Sequence, residues 1–344
     1  MHCLDVGCGV AVRRWEGVGY GSSYIKPLDI LICYTAQLLS FMLFQDLLED
    51  LSEEVNSAVS EFFEAAWENQ THPQDLLLVD QHGFYSEELA KPSIQEKHHI
   101  GPYVIGPGRI GFGEATFYEF IDWYRQSHLW RKAEFEGAIE EDEKTRKQEK
   151  LTVQLEQSIY LRFWEAEALL KQYYQLALLA SGEPYDWHFE VPSHAREGSK
   201  HELIRKKIRD RVQSIYPKFY SVVKNNYLTQ IRNAIAHSQF YITGRAIRFL
   251  NYSQNPAAHT PLQGMAFDEW YRMFHTTVLL HNATIGAFKW YRQRYKERTL
   301  KDGNRIQIRI IDDEGTKSTA ELGVLHDRDE WIWQKNLRKE DLNQ

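Results

Sequence analysis

The sequence predicts a mainly α-helical protein, because apolar residues recur at helical spacing in long segments that lack glycine and proline. The stretch 28–71 contains neither residue, and from Phe44 onward its apolar side chains return every three or four positions. The same spacing runs through 151–180, where we expect one long helix, and through 267–295. A glycine-rich loop at 101–113 separates two of these segments.

The N-terminal part contains three further predicted elements. Residues 28–44 form the most apolar run of the chain, but polar side chains interrupt it and it is short for a bilayer span, which predicts a buried helix. Residues 76–79 predict a short strand or a buried turn, and 115–130 returns to helical spacing. No charged segment precedes an uninterrupted apolar core near the start, so we expect neither a signal peptide nor a membrane segment.

Composition favours a globular protein of a reducing compartment. A chain of 344 residues has room for two domains, and its content of 43% hydrophobic and 26% charged residues is ordinary for such proteins. The cysteines, Cys3, Cys8 and Cys33, crowd at the start without the spacing of a disulfide framework or a zinc site. We therefore expect a cytoplasmic protein without a metal site or a cofactor.

The charge is unevenly distributed, and this guides the predicted domain organisation. Residues 1–150 carry 13 Lys and Arg against 26 Asp and Glu, whereas the remainder carries 28 against 22. A run of mixed charges ending at Lys150 marks an exposed helix or linker. We predict an acidic, mostly helical N-terminal domain at 1–130, a charged linker helix at 131–150, a helical bundle at 151–300, and a hairpin with a tail at 301–344.

Two segments depart from the helical pattern and predict β-hairpins. In the first, β-branched and aromatic residues of 240–249 flank the turn pair Thr243-Gly244. In the second, apolar strands at 305–311 and 319–325 flank an acidic turn that ends at Gly315. The mainly α class is thus expected to include a short hairpin directly after the segment 228–241.

The segment 228–241 is the part of the chain that indicates chemistry. On a helical wheel its isoleucines form an apolar stripe, whereas Asn233 and His237, four residues apart, lie on the opposite side. Arg232 lies at the edge of the stripe, where its stem can follow apolar surface while the guanidinium reaches toward His237. Asn233 and His237 are therefore presented away from the core that the helix needs, with Arg232 at the edge of the apolar stripe.

A histidine, an arginine and an amide in this arrangement suit phosphodiester chemistry without a metal. His237 would move a proton near neutral pH, and Arg232 would neutralise charge on the phosphate oxygens. Asn233 would orient the histidine or the phosphate by hydrogen bonding. We take Arg232, Asn233 and His237 as the candidate catalytic residues.

Spacing by itself leaves two structural explanations open. Arg232 and His237 can occupy a solvated helix face or a subunit contact, as such residues commonly do. Arg232 can also serve a structural role by pairing with Glu165 or Glu167 across a bundle. Both explanations predict a folded helix with no chemistry.

The hexapeptide Arg232 to His237, Arg-Asn-Ala-Ile-Ala-His, resembles the Arg-Asn-x-x-x-His signature of the HEPN superfamily, helical domains found in many bacterial defence and toxin ribonucleases. In that family two protomers bring their copies of the motif together in one cleft. The resemblance implies a HEPN-like helical bundle, a homodimer, and cleavage of RNA in which the ribose 2′-hydroxyl attacks the neighbouring phosphate. It also implies a role in anti-phage defence or as a toxin.

The resemblance extends to partners, with one departure from the family pattern. HEPN toxins that pair with nucleotidyltransferase antitoxins often place a tyrosine two residues after the histidine. Here Gln239 occupies that position and Tyr241 lies two residues further on, which puts that type of modification in doubt. An antitoxin or another regulatory partner is therefore an expectation from the family alone.

Basic residues upstream of the motif form a candidate RNA-binding patch. The segment 200–224 is rich in lysine and arginine, and we select Arg205, Lys206 and Arg209 from it, together with Tyr241, as RNA-binding residues. A solvated helix face is the structural alternative for any one of these cations. Binding through phosphate contacts would weaken steeply with salt.

Two other functions stay open on the sequence. A non-catalytic helical module could keep the fold and use the motif to dimerise or to hold RNA. The start of the chain, Cys-Leu-Asp-Val-Gly-Cys-Gly at 3–9, resembles the first glycine loop of class I methyltransferases that bind S-adenosylmethionine. That resemblance implies alternating strands and helices downstream, whereas the pattern here is helical.

Overall fold

A computed structural model describes seven segments of the chain, 45–90, 98–106, 143–192, 199–255, 260–312, 314–325 and 330–334. The glycine segment 3–9, the predicted helices at 28–44 and 115–130, and the second half of the loop 101–113 lie outside these residues. The three cysteines also lie outside them.

Helices dominate the described residues, which confirms the mainly α class. They are α1 (Gln45–Asn69), α2 (Asp75–Asp80), α3 (Glu143–Glu165), α4 (Glu167–Ala180), α5 (Pro217–Asn226), α6 (Thr229–Ala236) and α7 (Phe267–Lys301). Between α4 and α5 the residues 200–212 form what we call the basic helical segment. It consists of an α turn at Lys200–Glu202, a π-helix at Leu203–Arg209 and a 3₁₀ turn at Asp210–Val212.

The described strands form three small antiparallel sheets. Their strands are β1 (Phe84–Tyr85), β2 (His99–Ile100), β3 (Tyr103–Val104), β4 (Phe240–Thr243), β5 (Ala246–Phe249), β6 (Gly264–Ala266), β7 (Arg305–Ile311), β8 (Lys317–Leu325) and β9 (Glu330–Trp333). The strand orders are β1-β3-β2, β4-β5-β6 and β7-β8-β9. Both predicted hairpins are present as β4–β5 and β7–β8, and each gains a third strand that the sequence pattern did not predict.

Two local predictions were wrong. Residues 76–79, predicted as a strand or a turn, belong to the helix α2, and all four side chains are buried. A short run that is buried on every side has no periodicity to separate helix from strand.

The single helix expected at 151–180 is two helices, since Ala166 has an extended backbone with φ −65° and ψ 108°. The first of them, α3, already begins at Glu143.

The long helices share one hydrophobic core. The ring of Phe62 on α1 stacks on Phe219 of α5 with centroids 4.0 Å apart, and Phe63 meets Phe288 of α7 edge-on at 4.8 Å. Helix α1 also packs along α4. The helix at 45–69 is therefore built into the same core as the bundle helices. Among the described residues, no helix combines the length and the apolar character that crossing a bilayer requires.

The sheet β4-β5-β6 is fixed to α6 by a polar side chain. Gln230 of α6 donates through Nε2 to the carbonyl oxygen of Leu262 at 2.8 Å and accepts from the Leu262 N–H at 3.0 Å. Asn251 Nδ2 donates to the Gln230 carbonyl oxygen at 2.9 Å. Because Gln230 is buried and fully engaged, the sheet and α6 hold a fixed relative position.

A buried carboxylate joins the C-terminal sheet to the helices. Asp75 of α2 is 1% exposed, and its Oδ2 accepts from Arg309 Nη2 of β7 at 3.0 Å and from the His72 N–H at 3.2 Å. Burial raises the pKa of Asp75 to about 6, while Arg309 and the hydroxyl of Thr71 act in the opposite direction. The unfavourable free energy of burying the charged carboxylate is therefore larger than the stabilisation that these partners give to it.

We predict that Asp75 makes the stability of the protein fall as pH rises from about 4 to about 6. In this window the folded protein retains a proton on Asp75 that the unfolded chain, with an ordinary carboxyl pKa, has released. The contribution is on the order of 3 kcal/mol. Urea unfolding of the wild type and of Asp75→Asn at several pH values gives the free energy of unfolding as a function of pH. The difference between the two pH slopes measures the contribution of Asp75. Equal slopes would contradict the prediction.

Candidate functional site

Arg232 of α6 is bound by two neighbours, one on α3 and one on its own helix. Its Nε donates to Glu165 Oε1 at 2.5 Å, and Nη2 contacts the same oxygen. Its Nη1 donates to the side-chain oxygen of Asn233 at 2.9 Å. The pairing with Glu165 is thus present, and the Asn233 oxygen accepts from Arg232, a contact that the helical wheel did not predict.

These contacts leave part of the guanidinium available. A guanidinium carries five N–H donors, and the contacts with described residues use one on each of the three nitrogens. One donor therefore remains on each terminal nitrogen. The side chains of Arg232 and Glu165 are 24% and 27% exposed, so solvent reaches the pair. An anion can bind Arg232 end-on while Glu165 stays in place.

A second cation binds the same corner between two helices. Lys200 Nζ lies 3.5 Å from Glu165 Oε2 and 3.1 Å from Glu167 Oε1, and it donates to the Glu165 carbonyl oxygen at 3.3 Å. The break at Ala166 places the two carboxylates on either side of this corner. Lys200 and Arg232 thereby tie the basic helical segment and α6 to the junction of α3 and α4.

His237 ends the helix α6 and is exposed to solvent. Its N–H donates to the Asn233 carbonyl oxygen at 3.0 Å, so the helical relation between the two residues persists. Ser238 has a left-handed backbone with φ 53°, and its N–H and the next one donate to the carbonyl oxygens of Ile235 and Ala234 at 3.2 and 2.7 Å. This bond pair is a Schellman motif, which holds His237 on a rigid helix end.

Two of the predicted RNA-binding cations already have acidic partners. Lys206 Nζ lies 2.6 Å from Glu202, and Arg209 Nε donates to Asp210 at 2.6 Å while its guanidinium lies over the Tyr220 ring. Such pairs reduce the positive potential that an RNA phosphate would meet. We therefore expect Lys206 and Arg209 to contribute less to RNA binding than the sequence alone indicated.

Arg205 lies in the neighbourhood of Arg232 and is exposed. It forms no ion pair with a residue that the structure describes. Burial raises the pKa of Tyr227 to about 12, and the charges of both Arg232 and Arg205 lower it. The Tyr227 side chain thus lies within electrostatic range of both guanidinium groups. Arg205 is the cation of the basic helical segment best placed to join Arg232 at a phosphate.

His201 is a further residue of this neighbourhood, and the sequence pattern did not single it out. Its Nδ1 lies 2.7 Å from the Ser199 hydroxyl, and its Nε2 lies 3.2 Å from it. Burial lowers the pKa of His201, and Arg205 and Arg232 lower it further, while Glu202 raises it. The only sequence signal was its position inside a basic run, which does not distinguish it from a solvated histidine.

Comparisons of the chain with models of protein families, with curated proteins and with solved structures find no match. Among the residues that the structure describes, no group of three or more His, Cys, Asp or Glu side chains is arranged to hold a metal ion. A functional assignment therefore depends on the geometry around Arg232 and His237.

We predict that Arg232 and Glu165 are energetically coupled by about 1 kcal/mol or more, because the pair is partly shielded from water and uses two donors. A double-mutant cycle with Arg232→Ala and Glu165→Ala in urea unfolding measures the coupling. The matched control is the pair Lys206 and Glu202, whose side chains are 71% and 44% exposed and whose coupling should be clearly smaller. Equal couplings for the two pairs would contradict the prediction.

Proposed function

We propose that the protein is a metal-independent endoribonuclease of the HEPN type that acts as a homodimer. One observation carries the proposal: Arg232 is held by Glu165 and Asn233 with two donors to spare, and the exposed His237 stands on the rigid end of the same helix. Cleavage of a phosphodiester needs a cation and a proton carrier close together, and one short helix carries both, with the guanidinium held by its neighbours.

The proposed reaction is attack of a ribose 2′-hydroxyl on the adjacent phosphate. A bond forms between the 2′-oxygen and phosphorus as the bond from phosphorus to the 5′-oxygen breaks, which leaves a 2′,3′-cyclic phosphate and a 5′-hydroxyl. His237 accepts the proton of the 2′-hydroxyl. Arg232 stabilises the negative charge that grows on the phosphate oxygens, and Asn233 positions the guanidinium. The departing 5′-oxygen needs a proton in the same step.

The need for two proton transfers supports the homodimer. One chain supplies one His237, and a second copy facing the same phosphate would supply the other. One histidine then acts as the base and the other as the acid, as general acid–base catalysis requires.

The family resemblance adds a role in anti-phage defence or as a growth-arresting toxin in the cytoplasm, with an antitoxin or another regulatory partner that restrains it.

A second candidate function is a non-catalytic module that dimerises or binds RNA. The observation that favours it is the same ion pair, since Glu165 occupies the Nε edge of Arg232 and links α3 to α6. In that case Arg232 serves the fold, and His237 lies on an open surface. The two candidates differ in whether RNA is cut.

We predict that the full-length protein cuts RNA in EDTA and that His237→Ala lowers the rate about 10²- to 10⁴-fold without loss of dimerisation. Arg232→Ala should lower it by a comparable factor, since the phosphate charge is then unpaired. Lys301→Ala, at the far end of α7, is the control and should match the wild type. Gel analysis of end-labelled RNA, with circular dichroism to verify folding, gives the rates.

The outcomes separate the two candidate functions. A wild type that dimerises and binds RNA without cutting it would support the module. Cleavage by His237→Ala at the wild-type rate would remove His237 from the mechanism. A 2′-deoxy substitution at the cleaved position should abolish cleavage, because it removes the attacking hydroxyl.

We also predict that Arg205→Ala weakens RNA binding more than Lys206→Ala or Arg209→Ala does, because only Arg205 lacks an acidic partner among the described residues. A plot of the logarithm of the binding constant against the logarithm of the salt concentration should become shallower by about 0.7 for Arg205→Ala. This is the change expected for one lost phosphate contact on a single strand. Fluorescence anisotropy in the His237→Ala background, which prevents cleavage, measures both quantities. Three equal losses would contradict this ranking.

A further inference from the structure

The sheet β4-β5-β6 has one covered face and one open face. The pairs Phe240–Phe249 and Ile242–Ile247 alternate with the pair Tyr241–Arg248 along β4 and β5. Cross-strand partners point to the same side of a sheet, and the side chains of Ile247 and Phe249 are buried. Tyr241 and Arg248 therefore share the open face, where Tyr241 is 52% exposed.

A glycine in β6 determines how Arg248 lies on this face. Arg248 pairs on its other side with Gly264. A Cβ atom at Gly264 would stand 2.9 Å from Arg248 Cδ and 2.6 Å from the Ile247 carbonyl oxygen, both too close for a side chain. The missing side chain thus gives room for the stem of Arg248 to lie across β6. Arg248 leans away from Tyr241, so it does not cover that ring.

No acidic residue in the described part of the chain pairs with Arg248. Arg248 is exposed and forms no ion pair with any residue that the structure describes. Arg245, in the turn of the same hairpin, contrasts with it, because its Nη2 lies 3.1 Å from Glu149 and 3.0 Å from Asp268. Arg245 anchors the hairpin to α3 and α7. Arg248 is left as a cation beside an exposed aromatic ring.

The open face has a fixed position relative to His237. The Schellman motif at the end of α6 sets the direction in which the chain leaves His237, and β4 begins three residues later at Phe240. The Gln239 carbonyl oxygen accepts from the Leu250 N–H at 2.8 Å, which closes the base of the hairpin. Tyr241 therefore lies four residues after His237, on a strand whose start is fixed to the end of α6.

We propose that Tyr241 and Arg248 form a nucleotide subsite for single-stranded RNA. Tyr241 stacks on an unpaired base, and Arg248 binds a backbone phosphate next to the cleaved bond. The inference rests on the proposed function and adds to it the substrate class, since an exposed ring accepts the face of any unpaired base whereas a duplex keeps its bases stacked internally. Positive charge without an acidic partner favours RNA over a protein partner for this face.

Binding of an RNA oligonucleotide that carries 2-aminopurine, in the His237→Ala background, tests the subsite. Tyr241→Leu should weaken binding about 5- to 100-fold and remove the quenching of 2-aminopurine, because stacking on an aromatic ring is lost. Tyr241→Phe should bind like the parent. Arg248→Gln should weaken binding and lower the log–log salt slope by about 0.7.

Two matched controls lie outside the subsite. Leu300→Ala removes an apolar side chain that is 63% exposed near the end of α7. Lys301→Ala removes a charge at the end of α7, about 50 Å along the helix axis from Phe267, the residue that follows β6. Both should bind RNA like the parent. A duplex of the same sequence should bind with an affinity that does not change on Tyr241→Leu.

The results distinguish failure of the subsite from failure of the nuclease. Quenching that depends on Tyr241, in a protein whose wild type never cuts RNA, would support the subsite and refute the proposed function. Cleavage by the wild type, with Tyr241→Leu and Arg248→Gln that bind and cut equally well, would overturn the subsite alone. Absence of any RNA binding by the wild type would overturn both.

Discussion

The contact between Arg232 and Glu165 is the interaction on which the candidate site depends. It joins residues that are 67 positions apart and fixes α6 against the end of α3. Glu165 can do this because α3 stops there, and the extended backbone of Ala166 turns the chain before α4 begins. Lys200 shares the same carboxylate and brings the basic helical segment to the junction. Without this corner the guanidinium would have no fixed direction, and a phosphate would meet a mobile side chain.

The end of α6 supplies the second fixed point. A helix that frayed at its C-terminus would leave His237 without a defined position, and the Schellman motif prevents this through paired bonds to Ile235 and Ala234. The same motif starts the sheet, which Gln230 and Asn251 hold against the helix. One connected set of hydrogen bonds therefore sets the backbone positions of His237 and of the strands that carry Tyr241 and Arg248. Preorganisation of this kind lowers the entropy lost on binding a flexible strand.

The ion pair at Arg232 accounts for both candidate functions, which is why the fold alone does not choose between them. A carboxylate on the Nε edge orients a guanidinium for an anion, and it also links two helices. What separates the two is the pair of remaining donors together with the solvent exposure of His237. Ile231 and Ala234 of the same helix are buried, whereas His237 is exposed and solvent reaches Arg232. The remaining donors and the exposure of His237 are consistent with a ligand that is anionic and approaches from solvent.

The sequence by itself determined the elements whose signals are local. Apolar spacing predicted the long helices, Thr243-Gly244 predicted the hairpin, and the motif singled out Arg232, Asn233 and His237 as candidate site residues. Tertiary structure decided what depends on distant partners. Residues 76–79 form a helix, which the sequence could not predict because a short run buried on all sides has no periodicity. Arg232 pairs with Glu165 and not with Glu167. The ion pairs that set Lys206 and Arg209 apart from Arg205 are local, since Glu202 and Asp210 lie four positions and one position away, and the folded helical geometry decides that they form.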